Sequence, residues 1–342
     1  MLRLLAAVFT CASLYAVDSE DHIRKALAVS VATRLTMNAE FGSISVQPGR
    51  GRSVEVDAYF RGIPPSRSEF ERMLRDFRLD VTEQASEVRV NARFQDGWKP
   101  LFSPIFLVGH PICRNWQCLE YSAWLRDVEL RITVPFQFGA DVATSGGSIS
   151  VDGLKGEVNA RTSGGSLHFH RIDGPVNGRT SGGSITLEGA KGRTAVHTSG
   201  GSIHISDVAG DLEASTSGGS ISVDRVSGSI RAHTSGGWIS LGGATGSIDA
   251  STSGGSVTAS FLTQPQQECR LSTSGGSIKV TLSKNVHLNL DASTSGGKVS
   301  TDFPLNGVSD RHHRALRVPL NGGGPLLYLH TSGGGIGVRR AG

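Results

Sequence analysis

The side chains able to do chemistry in this chain recur at intervals instead of converging on one place. His168 and His170 in the stretch SLHFHR project to one side if that segment is a strand, and His204 stands 36 residues beyond His168. Two imidazoles on one face begin a metal site. No carboxylate or third histidine joins them at ligand spacing, however, and histidines on a wet β face are ordinarily just solvated. Asp152, His170, Glu188, Ser206 and Asp224 succeed one another every 18 residues. If each sits in its own layer of strands about 4.8 Å apart, acids on alternate layers are roughly 10 Å from each other, beyond the reach of a paired general acid and base. Neither the calcium-binding GGxGxD nonapeptide nor a Gly-Lys-Ser/Thr phosphate loop occurs. These residues point to no catalytic centre, no metal and no cofactor.

Binding chemistry has better candidates. Arg161, Arg179 and His197 are also 18 apart, a short basic ladder that either meets an anionic polysaccharide or forms a salt-paired surface row. Trp238 stands in TSGGWI where seven of ten related sites carry Ser, so strand parity turns an indole outward onto a small, polar face. Trp98, Trp116 and Trp124 share the stretch from 98 to 124 with Phe102, Phe106 and Tyr121. That segment is either a lateral loop packing its rings on the body of the protein or an aromatic recognition surface for a glycan or protein. Cys113 and Cys118 within it bracket RNWQ and suit a small disulfide loop in an exported compartment. Cys269 replaces an aliphatic residue, which predicts a buried, unreactive thiol.

The element that positions all of these is a repeat. Thr-Ser-Gly-Gly begins at Thr144, Thr162, Thr180, Thr198, Thr216, Thr234 and Thr252, six intervals of 18, and again at Thr273, Thr294 and Thr331. A fixed period of this length marks a solenoid, whose units bury their apolar faces only against their neighbours. Counting from each Thr, position six is Ile, Leu or Val in all ten copies, and position eight is mostly apolar (Val151, Phe169, Leu187, Ile205, Val223, Leu241). Position seven is polar, which is strand alternation. Positions fifteen and seventeen repeat the pattern with Val158, Leu212, Ile230 and Ile248, then Ala160, Ala214, Ala232 and Ala250. Two short parallel strands per coil follow, joined by a Ser-Gly-Gly turn whose glycines would permit positive φ and by a longer second turn. Apolar position eleven, as in Ile172 and Val208, closes one edge of the core and leaves room for a short third face.

Ahead of the regular coils, residues 1–16 read as a secretory signal peptide, with Arg3, an apolar run and Ala16. No other segment is apolar and long enough to span a membrane. FGSISVQPGRGRSVEVDA, from Phe41 to Ala58, resembles a degenerate first coil with Ile44 and Val46 in the places of positions six and eight. PPSRSEFERMLRDF sets Ser68 against Glu71 as a capping box and gathers Phe70, Met73, Leu74 and Phe77 on one helical face, predicting a helix docked as a cap. LDVTEQASEVRVNARF reads as a hairpin. The expected organisation is therefore a leader, residues 17–141 holding the degenerate coil, cap, hairpin and aromatic insert, and a regular solenoid over 142–342. Lys and Arg total 34 against 30 acids, and loss of Arg3 with the leader leaves 33 − 30 = +3, too little charge to imply nucleic acid.

LRITVPFQFGADVATSGGSI, FGSISVQPG and the recurring TSGGSI resemble the bacterial putative-adhesin repeat family, over roughly residues 28 to 342. The resemblance implies an all-β parallel solenoid and an exported role at the cell envelope or surface, periplasmic or extracellular, with no catalytic residue to carry over. The expectation is a non-catalytic scaffold or adhesin-like module for a glycan or envelope component. Its rivals are a carbohydrate-active β-helix enzyme and a protein that binds ice or another crystal surface.

Overall fold

The computed structural model describes residues 22–60, 71, 74–94, 128–261, 263–304 and 314–341. Its strands form two sheets of 14, mostly parallel, and each regular coil adds one strand to each, such as Ile203–Ala209 and Leu212–Thr216. Like stacks on like. Ile185, Ile203, Ile221 and Ile239 are register partners in the first sheet, and Leu212, Ile230 and Ile248 in the second. All are buried, and burying such a side chain is worth about 1.5–3 kcal/mol. The core is therefore a pair of aliphatic ladders facing each other across a narrow slab. Where position eight carries the large Phe169, the residue facing it is Gly178, since a Cβ there would come within 2.9 Å of the ring. Position eleven does not make a third sheet: Ile172, Ala190, Val208 and Val226 pair as a continuation of the first.

The TSGG motif is explained by what crosses from coil to coil. Each Thr is buried. In the Thr198 coil, Oγ1 donates to Gly183 O at 2.8 Å and accepts from Gly201 N at 3.3 Å, and the same pair of bonds recurs at Thr162, Thr180, Thr216, Thr234 and Thr252. One hydroxyl thus satisfies a carbonyl of the preceding coil and an amide of its own. The second glycine is demanded by close approach: a Cβ on Gly201 would lie 2.1 Å from Gly183 O. Positive φ is not the reason, contrary to expectation. Left-handed backbone sits instead at position ten of the second turn, in Gly153, Arg171, Gly189, Asp207, Arg225 and Gly243, with φ of 67°, 52°, 86°, 59°, 53° and 63°.

Both ends depart from sequential stacking. The coil of Arg34–Ala39 and Ser43–Gly49 lies between Glu87–Phe94 with Val128–Pro135 on one side and Gly139–Thr144 with Ile149–Asp152 on the other. At the far end the last repeat, Leu326–Thr331 and Ile336–Arg340, inserts between Cys269–Thr273 with Ile278–Leu282 and Leu288–Thr294 with Val299–Thr301. Antiparallel strands close the stack. His22–Ala28 and Ser53–Phe60 extend the first sheet, Phe77–Gln84 forms the expected hairpin with Glu87–Phe94, and Ala315–Leu320 pairs with Leu288–Thr294. An aromatic plug seals the N-terminal end, with Phe41 stacked on Phe94 at 4.7 Å and Phe77 edge-on to Phe60 and Phe94 at 5.2 and 5.6 Å.

The expected capping helix is not established. Glu71 and Leu74 to Asp76 are helical, and Leu74 packs on the core, but Phe77 begins a strand; the other residues of that stretch, including Ser68, Phe70 and Met73, lie outside the described residues. So do the leader and the insert bearing Trp98, Cys113, Trp116, Cys118 and Trp124. Among the described residues no helix is long and apolar enough to cross a membrane.

Candidate functional site

The second sheet positions the basic ladder. Strands Val158–Thr162, Val176–Thr180 and Thr194–Thr198 run parallel with Arg161, Arg179 and His197 as register partners. Their inward neighbours on either side are buried, including Thr162, Thr180 and Thr198, so alternation turns the three basic side chains to solvent. The column continues through Ser215, His233 and Ser251, with His197 Nδ1 on Ser215 Oγ and His233 Nδ1 on Ser251 Oγ, both at 2.8 Å.

The salt-paired alternative does not hold for the arginines. Among the described residues neither Arg161 nor Arg179 meets a carboxylate, whereas the flanking acids are already taken: Glu157 pairs with Arg34 at 2.5 Å and Glu213 with Arg193 at 3.3 Å. Beside the ladder, position sixteen presents Asn159, Asn177 and Ala195, with Asp141 one coil earlier. On its other side runs a column of exposed hydroxyls, Ser145, Ser163, Ser181 and Ser199. These serines line a shallow groove of about 480 Å³ together with Arg161, Arg179 and His197. A second hollow of about 520 Å³ shares Arg179 and His197 and continues to Glu213 and Ser215.

Other candidates are brought together differently. His170 Nδ1 lies 2.9 Å from Asp152 Oδ1, and its Nε2 is 4.0 Å from Glu188 Oε2. Arg171 reaches Asp152 Oδ2 at 3.0 Å. Partial burial pushes the Asp152 carboxyl up, but hydrogen bonds from Arg171 and His170 outweigh it and hold the group below its ordinary range. Spacing between acids alone missed this cluster, because it is the histidine on the intervening coil that links them. His168 and His204 are separated by the Thr186 layer, and among the described residues no group of three His, Cys, Asp or Glu is placed to hold a metal.

Trp238 is 47% exposed, on the outer side as parity requires. It also interrupts a ladder. At position five each backbone amide donates to the serine hydroxyl one coil earlier, from Ser166 through Ser220, and the Trp238 amide still donates to Ser220 Oγ at 3.2 Å. The indole offers no acceptor to the next coil. Cys269 is buried and free, and burial pushes its thiol up, as expected of an unreactive core residue.

No family model matches the chain, and no curated protein matches it. Among solved structures, a putative adhesin from Bacteroides fragilis aligns over 94% of this chain and 98% of its own, at 14% identity and a TM-score of 0.43. A putative cell adhesion protein from Clostridium sporogenes aligns over 94% and 99%, at 10% identity and a TM-score of 0.21.

The site's remaining features decide what the faces can do. The Thr array that an ice or crystal surface would need is turned into the core and spent on coil-to-coil hydrogen bonds. What the second sheet offers to solvent is two Arg, a His and a row of hydroxyls, held at a fixed pitch by a rigid ladder.

Proposed function

We propose that this chain is a non-catalytic, exported binding module that attaches to a glycan or another component of the cell envelope or surface. The observation that carries this reading is the division of labour between the two sides of each strand. Inward threonines, glycines and aliphatics are committed to stacking, while the outward columns of the second sheet keep Arg161 and Arg179 unpaired among the described residues and repeat at one coil spacing. Weak polar contacts repeated at a fixed pitch favour multivalent attachment, where each added contact acts at high effective concentration. Export follows from residues 1–16 as read in the sequence, with the organisation 17–141 and 142–342 proposed on the same basis. The test is a binding screen of the mature chain against glycans and envelope fractions. Retention by at least one polysaccharide or envelope component is expected, and uniformly negative results would sink the reading.

A carbohydrate-active enzyme has one observation in its favour, the Asp152–His170–Glu188 cluster. Turnover of an anionic polysaccharide that disappears in Asp152→Asn would move the assignment to that class.

A further inference from the structure

We propose that the outward face of the second sheet around Arg161, Arg179 and His197 is a groove for a linear polyuronate lying along the stacking axis. This deepens the binding reading above and rests on it. Register places the three basic groups on successive coils, so their bases are spaced by one inter-strand step, about 4.8 Å. A 1,4-linked uronate chain advances by about one such step per pyranose ring and carries one carboxylate on each ring. A ligand running along the strands instead would meet only one of the three.

The chemistry of each column suits that ligand. A guanidinium presents a planar fork that pairs a carboxylate with two parallel, charge-assisted hydrogen bonds, stronger than any it makes to the hydroxyls of a neutral sugar. The serine column Ser145, Ser163, Ser181 and Ser199 runs beside the ladder in the same groove, and none of these hydroxyls has a side-chain partner among the described residues. They supply both donors and acceptors for ring hydroxyls. Asn159 and Asn177 flank the arginines on the other side. The acids nearest along the sheet do not compete: Glu157 is held by Arg34 and Glu213 by Arg193, leaving Asp141 at the N-terminal margin. The lining is polar and shallow, without the buried apolar centre that a protein partner would require.

The experiment measures affinity of the whole chain for polygalacturonate, with neutral dextran and single-stranded DNA as comparison ligands. Binding to polygalacturonate is expected to exceed binding to both. Arg161→Gln with Arg179→Gln should weaken it about tenfold, the sum of two solvent-screened ion pairs of ordinary strength, and should flatten its dependence on salt. Lys279→Gln with Arg339→Gln, which removes the same charge from the first sheet, should leave affinity within about twofold, consistent with weak long-range coupling in salt. All four side chains are exposed, and an unchanged unfolding midpoint confirms that the variants fold. Equal loss in both double variants, or equal capture of DNA through Arg161 and Arg179, overturns the groove. If the chain ignores polygalacturonate but binds a neutral glycan or an envelope fraction, the groove falls and the binding module stands. If it binds nothing in either screen, both fall.

Discussion

Two threonines four residues apart should respond with opposite sign to the same substitution. Thr198 is fully buried, donates to Gly183 O at 2.8 Å and accepts from Gly201 N at 3.3 Å. Thr194 is also fully buried, at position fifteen, where its neighbours in register are Val176 and Leu212, and its Oγ1 has no hydrogen-bond partner. Val matches Thr in shape and strand preference and lacks only the hydroxyl. Burying a hydroxyl without a partner costs about 1–3 kcal/mol, so Thr194→Val should stabilise the protein by about that much. Thr198→Val leaves a part-buried carbonyl and amide unpaired and should destabilise it by about 1–2 kcal/mol. Urea unfolding followed by circular dichroism gives the sign from the midpoint. Because stacked repeats can unfold in stages, hydrogen exchange of residues 195–201 should be read alongside it. Equal signs for the two variants, or a neutral Thr198→Val, would refute the assignment of the TSGG threonine as the bond between coils.

Gly201→Ala should cost more than about 3 kcal/mol, the class of a core clash, because its Cβ would sit 2.1 Å from a carbonyl; Gly200→Ala, whose Cβ has 3.4 Å of clearance, should stay within about 1 kcal/mol. Comparing their thermal midpoints checks this. The Glu83 carboxylate accepts from the amides of Ser30, Val31 and Ala32 at 3.0, 3.1 and 3.0 Å, and the bonds from Val31 and Ala32 lead in holding it below its ordinary 4.5. A depressed carboxyl stabilises fully above its unfolded pKa and loses that contribution as pH falls through the lower folded value. Exchange protection at residues 30–32 should therefore be lost on acidification below the ordinary carboxylate range in the native protein and show no such step in Glu83→Gln. Trp238→Ser should supply the Ser256 amide, which has no acceptor among the described residues, with a serine hydroxyl and raise the unfolding midpoint slightly, by about 0.5–1 kcal/mol in stability; a fall would show that the indole packs usefully on the sheet.

The period-two registers at positions six, eight, fifteen and seventeen announced two parallel sheets, because only residues of matching polarity can stack when every coil repeats the last. Stacking order at the ends was invisible for the same reason. Leu326–Thr331 carries the same pattern as its predecessors, so nothing local says that it slips in ahead of Leu288–Thr294. Phe77 misled through periodicity: its spacing fits a helix face, yet its partner is Phe94 across a hairpin. The basic ladder was readable as a column, but its freedom from acids was not, since that depends on Arg34 and Arg193 claiming Glu157 and Glu213. Nor could spacing reveal the Asp152–His170 contact, which depends on how the two side chains turn.

The displaced coils at both ends limit how the rod can vary in length. A repeat appended after Arg340 would find its neighbouring edge already occupied by Val299–Thr301, and one placed ahead of Arg34 would meet strands contributed by residues 87–94 and 128–135. Between Gly139 and Thr273, by contrast, chain order and spatial order coincide. Removing or duplicating 18 residues there leaves every TSGG threonine bond between coils with an equivalent partner and shifts the two closed ends as rigid units. The protein is in this respect a bar with fixed fittings and an adjustable middle, and gain or loss of near-identical TSGGSI units by recombination would change its reach without disturbing either fitting.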